Sequence, residues 1–210
     1  DMSLEEYEDF LYGATNINWG KVKKEEMNLK RILDKGNIIR IVGKDTDLTL
    51  SIKGRKAIPC CGERNMPDGE VFLSPVEDSA EGQIYYDLPA IYQGKEVLGI
   101  CLKFKKGKVI EAKAEKNQGF LISMLDTDKG ARYLGEVGIG TNYGIKHFSK
   151  DILFDEKIGG TVHLAAGRSY ESAGGKNKSA IHWDMIKDLR NGGAIYVDGK
   201  EIQRNGRFVI

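Results

Sequence analysis

Acidic and histidine side chains stand in five short segments of this chain, four of which contain glycine, and together they have the chemistry of metal ligands. The segments are NMPDGEVFLSP, YLGEVGIGTN, LFDEKIGG, TVHLAAGRSY and SAIHWDM. Carboxylate oxygens and neutral imidazoles suit zinc, cobalt, manganese and similar divalent ions. The candidate metal ligands are Glu70, Glu136, Glu156, His163, His182 and Asp184.

The charge of this set favours two ions over one. Its four carboxylates would repel one another without cations, and several would then stay protonated. Two divalent ions about 3.5–4 Å apart would balance them and can share a carboxylate and a water. The bound water ionises near neutral pH and becomes a nucleophile, while the second ion polarises the carbonyl group under attack. The residue types therefore predict a dinuclear metallohydrolase, in which Glu136 is the shared carboxylate or a proton shuttle.

Several of these residues also have a purely structural interpretation. His182 and Asp184 would share one face of a strand, where they could hold an ion or form an exposed ion pair. His163 lies in an apolar strand, where a buried core histidine is typical. Glu136 would be exposed if its strand lay at a sheet edge. Tyr170 could donate a proton to a developing oxyanion, or it could be an ordinary packed aromatic residue.

The remaining polar candidates give weaker indications. Glu70 follows a Pro-Asp-Gly turn, which would hold it rigidly, and Glu156 could instead be a solvated residue or a helix cap. His147 lacks glycine-rich surroundings, and we expect it on the surface. Cys60 and Cys61 are adjacent, without the gap that lets two sulfurs reach one zinc. The odd number of cysteines, three, predicts reduced thiols in a cytoplasmic protein.

The composition predicts one domain with a sizeable core and a soluble surface. The chain has 210 residues, of which 40% are hydrophobic and 30% charged, and its net charge is +1. This balance does not call for nucleic acid or an anionic membrane as a partner. No apolar run approaches the roughly 20 residues of a transmembrane helix.

The elements that must position the candidate ligands are short strands, preceded by helices. SLEEYEDFLYGAT opens with a capping box of Ser3 and Glu6, and WGKVKKEEMNLKRILDKG is a second helix that Gly36 ends. From Asn37 onward apolar and polar residues alternate as in half-buried strands. FLISMLDTD and the following KGARYL are predicted to be helical. The pattern predicts an α+β fold, a mostly antiparallel β-sheet with N-terminal and mid-chain helices.

Four segments resemble the signature segments of the thermophilic metalloaminopeptidases, the group of aminopeptidase T, aminopeptidase S and PepS. They are NMPDGEVFLSP, LGEVGIGTN, LFDEKIGGTVHLAAGRSY and GGKNKSAIHWDM. The resemblance runs in order from SLEEYEDF to NGRF. It implies cytoplasmic homodimers that carry two metal ions, usually zinc or cobalt, and remove N-terminal residues from peptides with a free N-terminus. The implied metal ligands are the same six residues, and Tyr170 matches the family's active-site tyrosine.

The resemblance also predicts the domain organisation. Family members carry a sizeable α/β domain ahead of the matching segment, so residues 1–210 are expected to be the C-terminal, metal-binding catalytic domain, with the N-terminal α/β domain absent. Two other functions stay open on the residues alone. One is a different metal-dependent amidohydrolase or dipeptidase, because the ligand set activates water without specifying the acyl group. The other is a non-catalytic β-rich interaction module with solvated acidic residues.

Overall fold

Residues 2–210 are described by a computed structural model, and within them helices and antiparallel sheets form the predicted α+β fold. The α-helices are α1 (Leu4–Thr15), α2 (Trp19–Lys35), α3 (Gln118–Leu125) and α4 (Ile152–Asp155). The strands of the first half are β1 (Ile38–Gly43), β2 (Thr46–Ser51), β3 (Ile58–Cys60), β4 (Glu70–Leu73), β5 (Glu81–Tyr86), β6 (Ala90–Tyr92), β7 (Lys95–Val97), β8 (Ile100–Lys105) and β9 (Lys108–Lys113). The later strands are β10 (Leu134–Gly140), β11 (Thr161–Gly167), β12 (His182–Asp188), β13 (Ala194–Val197), β14 (Lys200–Arg204) and β15 (Arg207–Phe208).

The N-terminal helices begin and end where the sequence predicts. The Ser3 hydroxyl accepts a hydrogen bond from the Glu6 backbone N–H at 3.2 Å, and the Glu6 carboxylate accepts one from the Ser3 N–H at 2.7 Å. These two bonds form the expected capping box of α1. Helix α2 ends before Gly36, whose N–H donates to the carbonyl oxygens of the last turn.

The predicted helix over KGARYL is wrong. Helix α3 ends at Leu125, and residues 127–132 form turns. The Asp128 carboxylate accepts hydrogen bonds from the Gly130 and Ala131 backbone N–H groups at 2.8 and 3.0 Å. An aspartate that accepts hydrogen bonds from nearby backbone N–H groups in this way competes with helix formation.

Two antiparallel sheets pack against each other through one main hydrophobic core. The larger sheet has eight strands in the order β15-β14-β13-β1-β2-β5-β8-β9, and the smaller has five in the order β12-β11-β10-β4-β3. Strands β6 and β7 form a separate hairpin. Side chains alternate between the two faces of the smaller sheet, and the apolar set enters the core with residues of the larger sheet. That set includes Val71, Leu73, Val137, Ile139, Val162, Leu164, Trp183 and Met185.

No helix within residues 2–210 has both the length and the apolar character that crossing a membrane requires.

Candidate metal centre

Five of the six candidate ligands share one face of the five-stranded sheet, opposite the apolar core. Glu70 opens β4, Glu136 lies in β10, His163 in β11, and His182 and Asp184 in β12. These four strands are consecutive neighbours in the sheet. The prediction that His182 and Asp184 share one face of a strand is confirmed, because both lie in β12 and their side chains are in contact.

Glu136 lies between the two histidines. Its Oε1 is 3.4 Å from His163 Nε2, and its Oε2 is 3.3 Å from His182 Nε2. The structural alternative for Glu136, an exposed position on an edge strand, is wrong. Strand β10 is flanked by β11 and β4, and Glu136 is only 5% exposed. Glutamate this deeply buried requires partners of opposite charge.

A small residue makes room for the His163 ring. Gly138 pairs with His163 across β10 and β11. A Cβ atom built on Gly138 would lie 2.1 Å from His163 Nε2, well inside van der Waals contact. The ring is fully buried and its Nε2 also lies 3.2 Å from Glu70 Oε2. The glycine of LGEVGIG therefore allows the imidazole to lie over the neighbouring strand.

His182 is held in the orientation that metal ligands commonly have. Its Nδ1 lies 2.7 Å from the Arg168 carbonyl oxygen. A carbonyl oxygen can only accept, so Nδ1 carries a proton and Nε2 is the nitrogen that can ligate once the ring is neutral. Nε2 lies 3.4 Å from Asp184 Oδ2, in addition to its contact with Glu136. A hydrogen bond from the second ring nitrogen to a carbonyl fixes the tautomer of many ligating histidines.

The sixth candidate, Glu156, comes from a helix end and not from the sheet. It is the C-cap residue of the short helix α4, so the alternative of a helix cap is correct for its backbone. Its side chain nevertheless reaches the cluster, where one carboxylate oxygen, one His163 nitrogen and one Asp184 oxygen lie within 4.8 Å of one another. The structure thus brings all six predicted residues together.

The ligand atoms fall into three overlapping groups, each with atoms within 4.8 Å of one another. The groups are Glu70–Glu136–His163, Glu136–His182–Asp184 and Glu156–His163–Asp184. Three residues belong to two groups each: Glu136, His163 and Asp184. A single ion takes one such group, whereas overlapping groups suit two adjacent ions that share ligands.

Unsatisfied polar atoms provide an independent test of whether this cluster fits metal ions. Glu70 Oε2, Asp184 Oδ1 and His163 Nδ1 are buried, and none has a hydrogen-bond partner. The 3.2 Å contact of Glu70 Oε2 with His163 lacks hydrogen-bond geometry. Orphaned buried polar atoms are rare in native proteins and commonly mark an ion or water. The donor set and the orphaned carboxylate oxygens therefore fit divalent ions.

The histidines of the cluster hold protons that an ion would displace. Burial lowers the pKa of His182, but Glu136 and Asp184 raise it by more, to about 9. Burial likewise opposes protonation of His163, and the carboxylates of Glu136 and Glu70 raise its pKa well above the ordinary value. A ligating histidine must be neutral, so ion binding here is coupled to proton release.

The direction of the pKa shift of each carboxylate in the cluster depends on its burial and its neighbours. Burial raises the pKa of Glu136, but the two histidines lower it by more, so this carboxyl group is ionised. Burial raises the pKa of Glu156 to about 7, and repulsion from Glu70 adds to the effect. Asp184 also has a raised pKa, chiefly because it is buried. Divalent ions would favour the ionised form of every carboxylate.

Lys157 is a member of the site that the sequence analysis missed. Its side chain is fully buried, its ammonium contacts the Glu156 carboxylate, and Nζ lies 3.6 Å from Glu70 Oε1. Burial lowers the pKa of Lys157, but Glu70 and Glu156 raise it by more, so the ammonium stays charged. The only signal in the sequence is a lysine directly before the apolar turn IGG, which is too weak to identify it.

Tyr170 lies at the rim of the cluster. Its ring meets the His182 ring edge-on, with centroids 5.1 Å apart, and packs against Phe72 at 5.3 Å. Tyr170 is 38% exposed, so part of the residue is open to solvent. Burial of part of the ring and the nearby carboxylates raise the pKa of Tyr170 to about 12, which keeps the phenol protonated. A protonated phenol can donate a hydrogen bond.

Two weaker candidates from the sequence, His147 and Cys60, differ in their position relative to this cluster. His147 is exposed. Cys60 forms a further group with Asp68 and Glu70, but burial raises the pKa of the Cys60 thiol, and a protonated thiol is a poor metal ligand. All three cysteines are unpaired.

The chain is similar to several curated aminopeptidases. Aminopeptidase T of Thermus thermophilus is 32% identical over 168 residues, which cover 70% of this chain and 40% of that protein. Aminopeptidase AmpS of Bacillus subtilis is 33% identical with the same coverage. Aminopeptidase PepS of Streptococcus thermophilus is 31% identical over 198 residues, covering 79% of this chain and 47% of that protein. The chain thus spans less than half the length of these curated relatives.

Two solved structures have the same fold. Wild-type AmpT from Thermus thermophilus superimposes with a TM-score of 0.83 at 28% identity, over 98% of this chain and 58% of that chain. The 2,5-dihydroxypyridine dioxygenase from Pseudomonas putida KT2440 gives a TM-score of 0.72 at 20% identity, over 90% and 59% of the two chains, and shows the fold alone. The family model of the thermophilic metalloprotease (M29) matches residues 1–208. Because that match covers nearly the whole chain, the chain belongs to the thermophilic metalloprotease (M29) family.

Proposed function

We propose that this chain is the catalytic part of a dinuclear metal-dependent aminopeptidase, which hydrolyses the N-terminal peptide bond of peptides. The proposed metal ligands are Glu70, Glu136, Glu156, His163, His182 and Asp184. The observation that carries the proposal is the position of Glu136, whose two carboxylate oxygens face two different histidines. A carboxylate so placed can serve two neighbouring ions. The proposed reaction is based on the names of the three relatives, which are all called aminopeptidases.

The side chains can be given separate roles in this reaction. Two divalent ions bound here would supply Lewis-acid chemistry, which polarises the scissile carbonyl and lowers the pKa of a water. Glu136 is ionised, so it can either be shared by the two ions or accept the proton of the attacking water and return it to the leaving amine. Tyr170 is protonated at the rim and can donate to the oxyanion of the tetrahedral intermediate.

Exopeptidase action requires recognition of a free α-amine. The cluster offers four carboxylates close together, with a single lysine in contact with them among the described residues. Part of this negative charge can hold a substrate ammonium group, which an N-blocked peptide lacks. That requirement separates an aminopeptidase from other metal-dependent amidohydrolases and dipeptidases.

We further propose that residues 1–210 form the C-terminal, metal-binding domain of a longer enzyme whose N-terminal α/β domain helps to enclose the substrate. The proposal is supported by partial coverage, since the chain matches 58% of the AmpT structure and 40–47% of the three curated relatives. The family resemblance also leads us to propose zinc or cobalt as the native metal, a homodimer, and a cytoplasmic location. Three unpaired cysteines suit that reducing compartment.

Metal stoichiometry tests the dinuclear site. The chain is stripped with chelator, loaded with Zn²⁺ or Co²⁺, dialysed and analysed for metal per chain. We expect about two ions per chain, and fewer in Asp184→Ala. His147→Ala is the matched control, because it removes an exposed histidine outside the cluster. Uptake of no more than one ion, or equal loss in both variants, would contradict the dinuclear proposal.

A substrate panel tests the reaction. The metal-loaded chain is assayed with aminoacyl amides, dipeptides and N-blocked peptides. Turnover only of substrates with a free amine supports the aminopeptidase, and turnover of N-blocked peptides supports another amidohydrolase. If two ions bind without any turnover, the same panel is applied to a longer protein that includes an N-terminal α/β domain. Activity gained in that protein would support the proposed domain organisation.

A further inference from the structure

Lys157 introduces a fixed positive charge on one side of the proposed metal centre. The residue is fully buried, and its ammonium contacts the Glu156 carboxylate and lies 3.6 Å from Glu70 Oε1. Its backbone is held on both sides: the Lys157 N–H donates to the Phe154 carbonyl at 3.1 Å, and its carbonyl accepts from the Asn142 N–H at 3.0 Å. The ammonium is therefore part of the built site and not a mobile surface charge.

This charge divides the cluster into two unequal halves. Lys157 contacts Glu70 and Glu156, which belong to the two groups built around His163. The group of Glu136, His182 and Asp184 includes neither partner of Lys157. Throughout residues 2–210, no other lysine or arginine makes an ion pair with a proposed ligand. An ion near His163 would meet a neighbouring cation, whereas an ion near His182 would not.

We propose that Lys157 is a positioning residue that makes the two ion positions unequal, weakening the position near Glu70 and Glu156 while holding these carboxylates in place. This inference rests on the proposed dinuclear function. Two positive charges separated by a few ångströms in a buried site repel strongly, and water cannot screen them there. When the ion near Glu70 and Glu156 is lost, the ammonium still neutralises part of the charge of these carboxylates. The fold therefore tolerates the loss of that ion. The site near His182 then retains its ion longest.

The test is a calorimetric zinc titration of the metal-free chain and of Lys157→Met, which removes the charge and keeps an unbranched side chain of similar length. We expect two binding events in the parent chain, one tight and one weak. In Lys157→Met the weak event should become at least about tenfold tighter, and the tight event should change by less than about threefold. The spectrum of bound Co²⁺ gives a second measure of how many ions the chain binds.

Two further variants separate charge from structure. Lys157→Gln keeps a hydrogen-bond donor for Glu156 without the charge and should tighten the weak event as well, which also covers the case in which Lys157→Met does not fold. Lys187→Met is the matched control, because Lys187 is equally buried and is paired at 2.9 Å with Asp87. Lys187 lies on the core side of β12, so neither binding event should shift.

The outcomes distinguish this inference from the function on which it rests. A parent chain that binds fewer than two ions overturns the dinuclear proposal itself. A parent chain with two events, of which the weaker is unchanged or weakened in both Lys157 variants, leaves the dinuclear site standing and overturns the role of Lys157. Equal tightening in Lys187→Met would also overturn it, because the effect would then be general.

Discussion

The two faces of the five-stranded sheet use the same strands for opposite purposes. One face presents Val162, Leu164 and Met185 to the core, where each fills space among other apolar side chains. The other presents His163 and Asp184 from the same two strands, with ionisable groups buried close together and several polar atoms unsatisfied. Apolar burial stabilises the fold, whereas buried charge costs free energy unless a partner compensates it. The comparison indicates that apolar burial stabilises the fold on one face, while the other face carries the proposed metal ligands.

Removal of a ligand charge should give the largest effect and should be confined to the polar face. In Asp184→Asn, the side chain keeps its shape but loses the negative charge that two of the three ligand groups use. Loss of hydrogen-bonding partners behind a ligand costs about 10–100-fold in metal affinity, so loss of a ligand itself should cost more than about 100-fold and abolish the proposed peptide hydrolysis. Zinc titration measures the first effect. A circular dichroism spectrum like that of the parent chain would show that the fold is retained, and full activity would contradict the ligand assignment.

A cavity on the opposite, apolar face should reduce stability and leave metal binding unchanged. Leu164 is fully buried, so Leu164→Ala should destabilise the chain by about 2–5 kcal/mol. Urea unfolding measures this loss. The folded fraction should still bind the same number of zinc ions as the parent chain. If Leu164→Ala instead lost ions without losing stability, the separation between the two faces would be incorrect.

Glu26 sharpens the comparison, because it is a buried acid near the cluster without a cation partner. It lies in α2, its Oε1 accepts a 2.7 Å hydrogen bond from Thr141, and burial raises its pKa to about 8. Between about pH 4.5 and 8 the unfolded chain loses this proton while the folded chain keeps it. The contribution of Glu26 to stability is therefore fully present below the unfolded pKa and falls as pH rises toward 8.

Glu26→Gln, which mimics the protonated acid, should remove this dependence. At pH 8 the variant should be more stable than the parent by roughly 2–4 kcal/mol, and near pH 4.5 the two should be similar. Urea unfolding in chelator at several pH values gives the comparison. Parallel pH profiles for the two proteins would show that Glu26 is ionised in the folded chain.

The smallest expected effect concerns the space that Gly138 provides for the His163 ring. The Cβ of Gly138→Ala would lie 2.1 Å from His163 Nε2, so the imidazole must move away from its neighbours. We expect metal affinity to fall about tenfold, since ligand geometry must be held within about half an ångström. Gly119→Ala is the control, because its Cβ meets no atom within 4 Å. Equal metal affinity in both variants would mean that the ring tolerates displacement.

Local sequence patterns predicted secondary structure correctly where residues a few positions apart determine it. The capping box at Ser3 and the glycine after α2 were correct because caps depend on residues a few positions apart. The helical prediction for KGARYL was wrong because the Asp128 side chain accepts hydrogen bonds from backbone N–H groups of a turn. Alternation along β12 predicted the common face of His182 and Asp184, since that requires only strand geometry.

The sequence by itself determined the chemical types of the six candidate ligands, the glycines near several of them and the resemblance to a metallopeptidase family. Only the tertiary structure decided how they meet. Strand β4 pairs with β10, far along the chain, and this pairing places Glu70 beside Glu136 and His163. Glu156 and Lys157 reach the same place from the end of a short helix. Strand order and helix docking depend on packing between distant segments, which local periodicity does not encode, so the buried lysine became visible only in the folded chain.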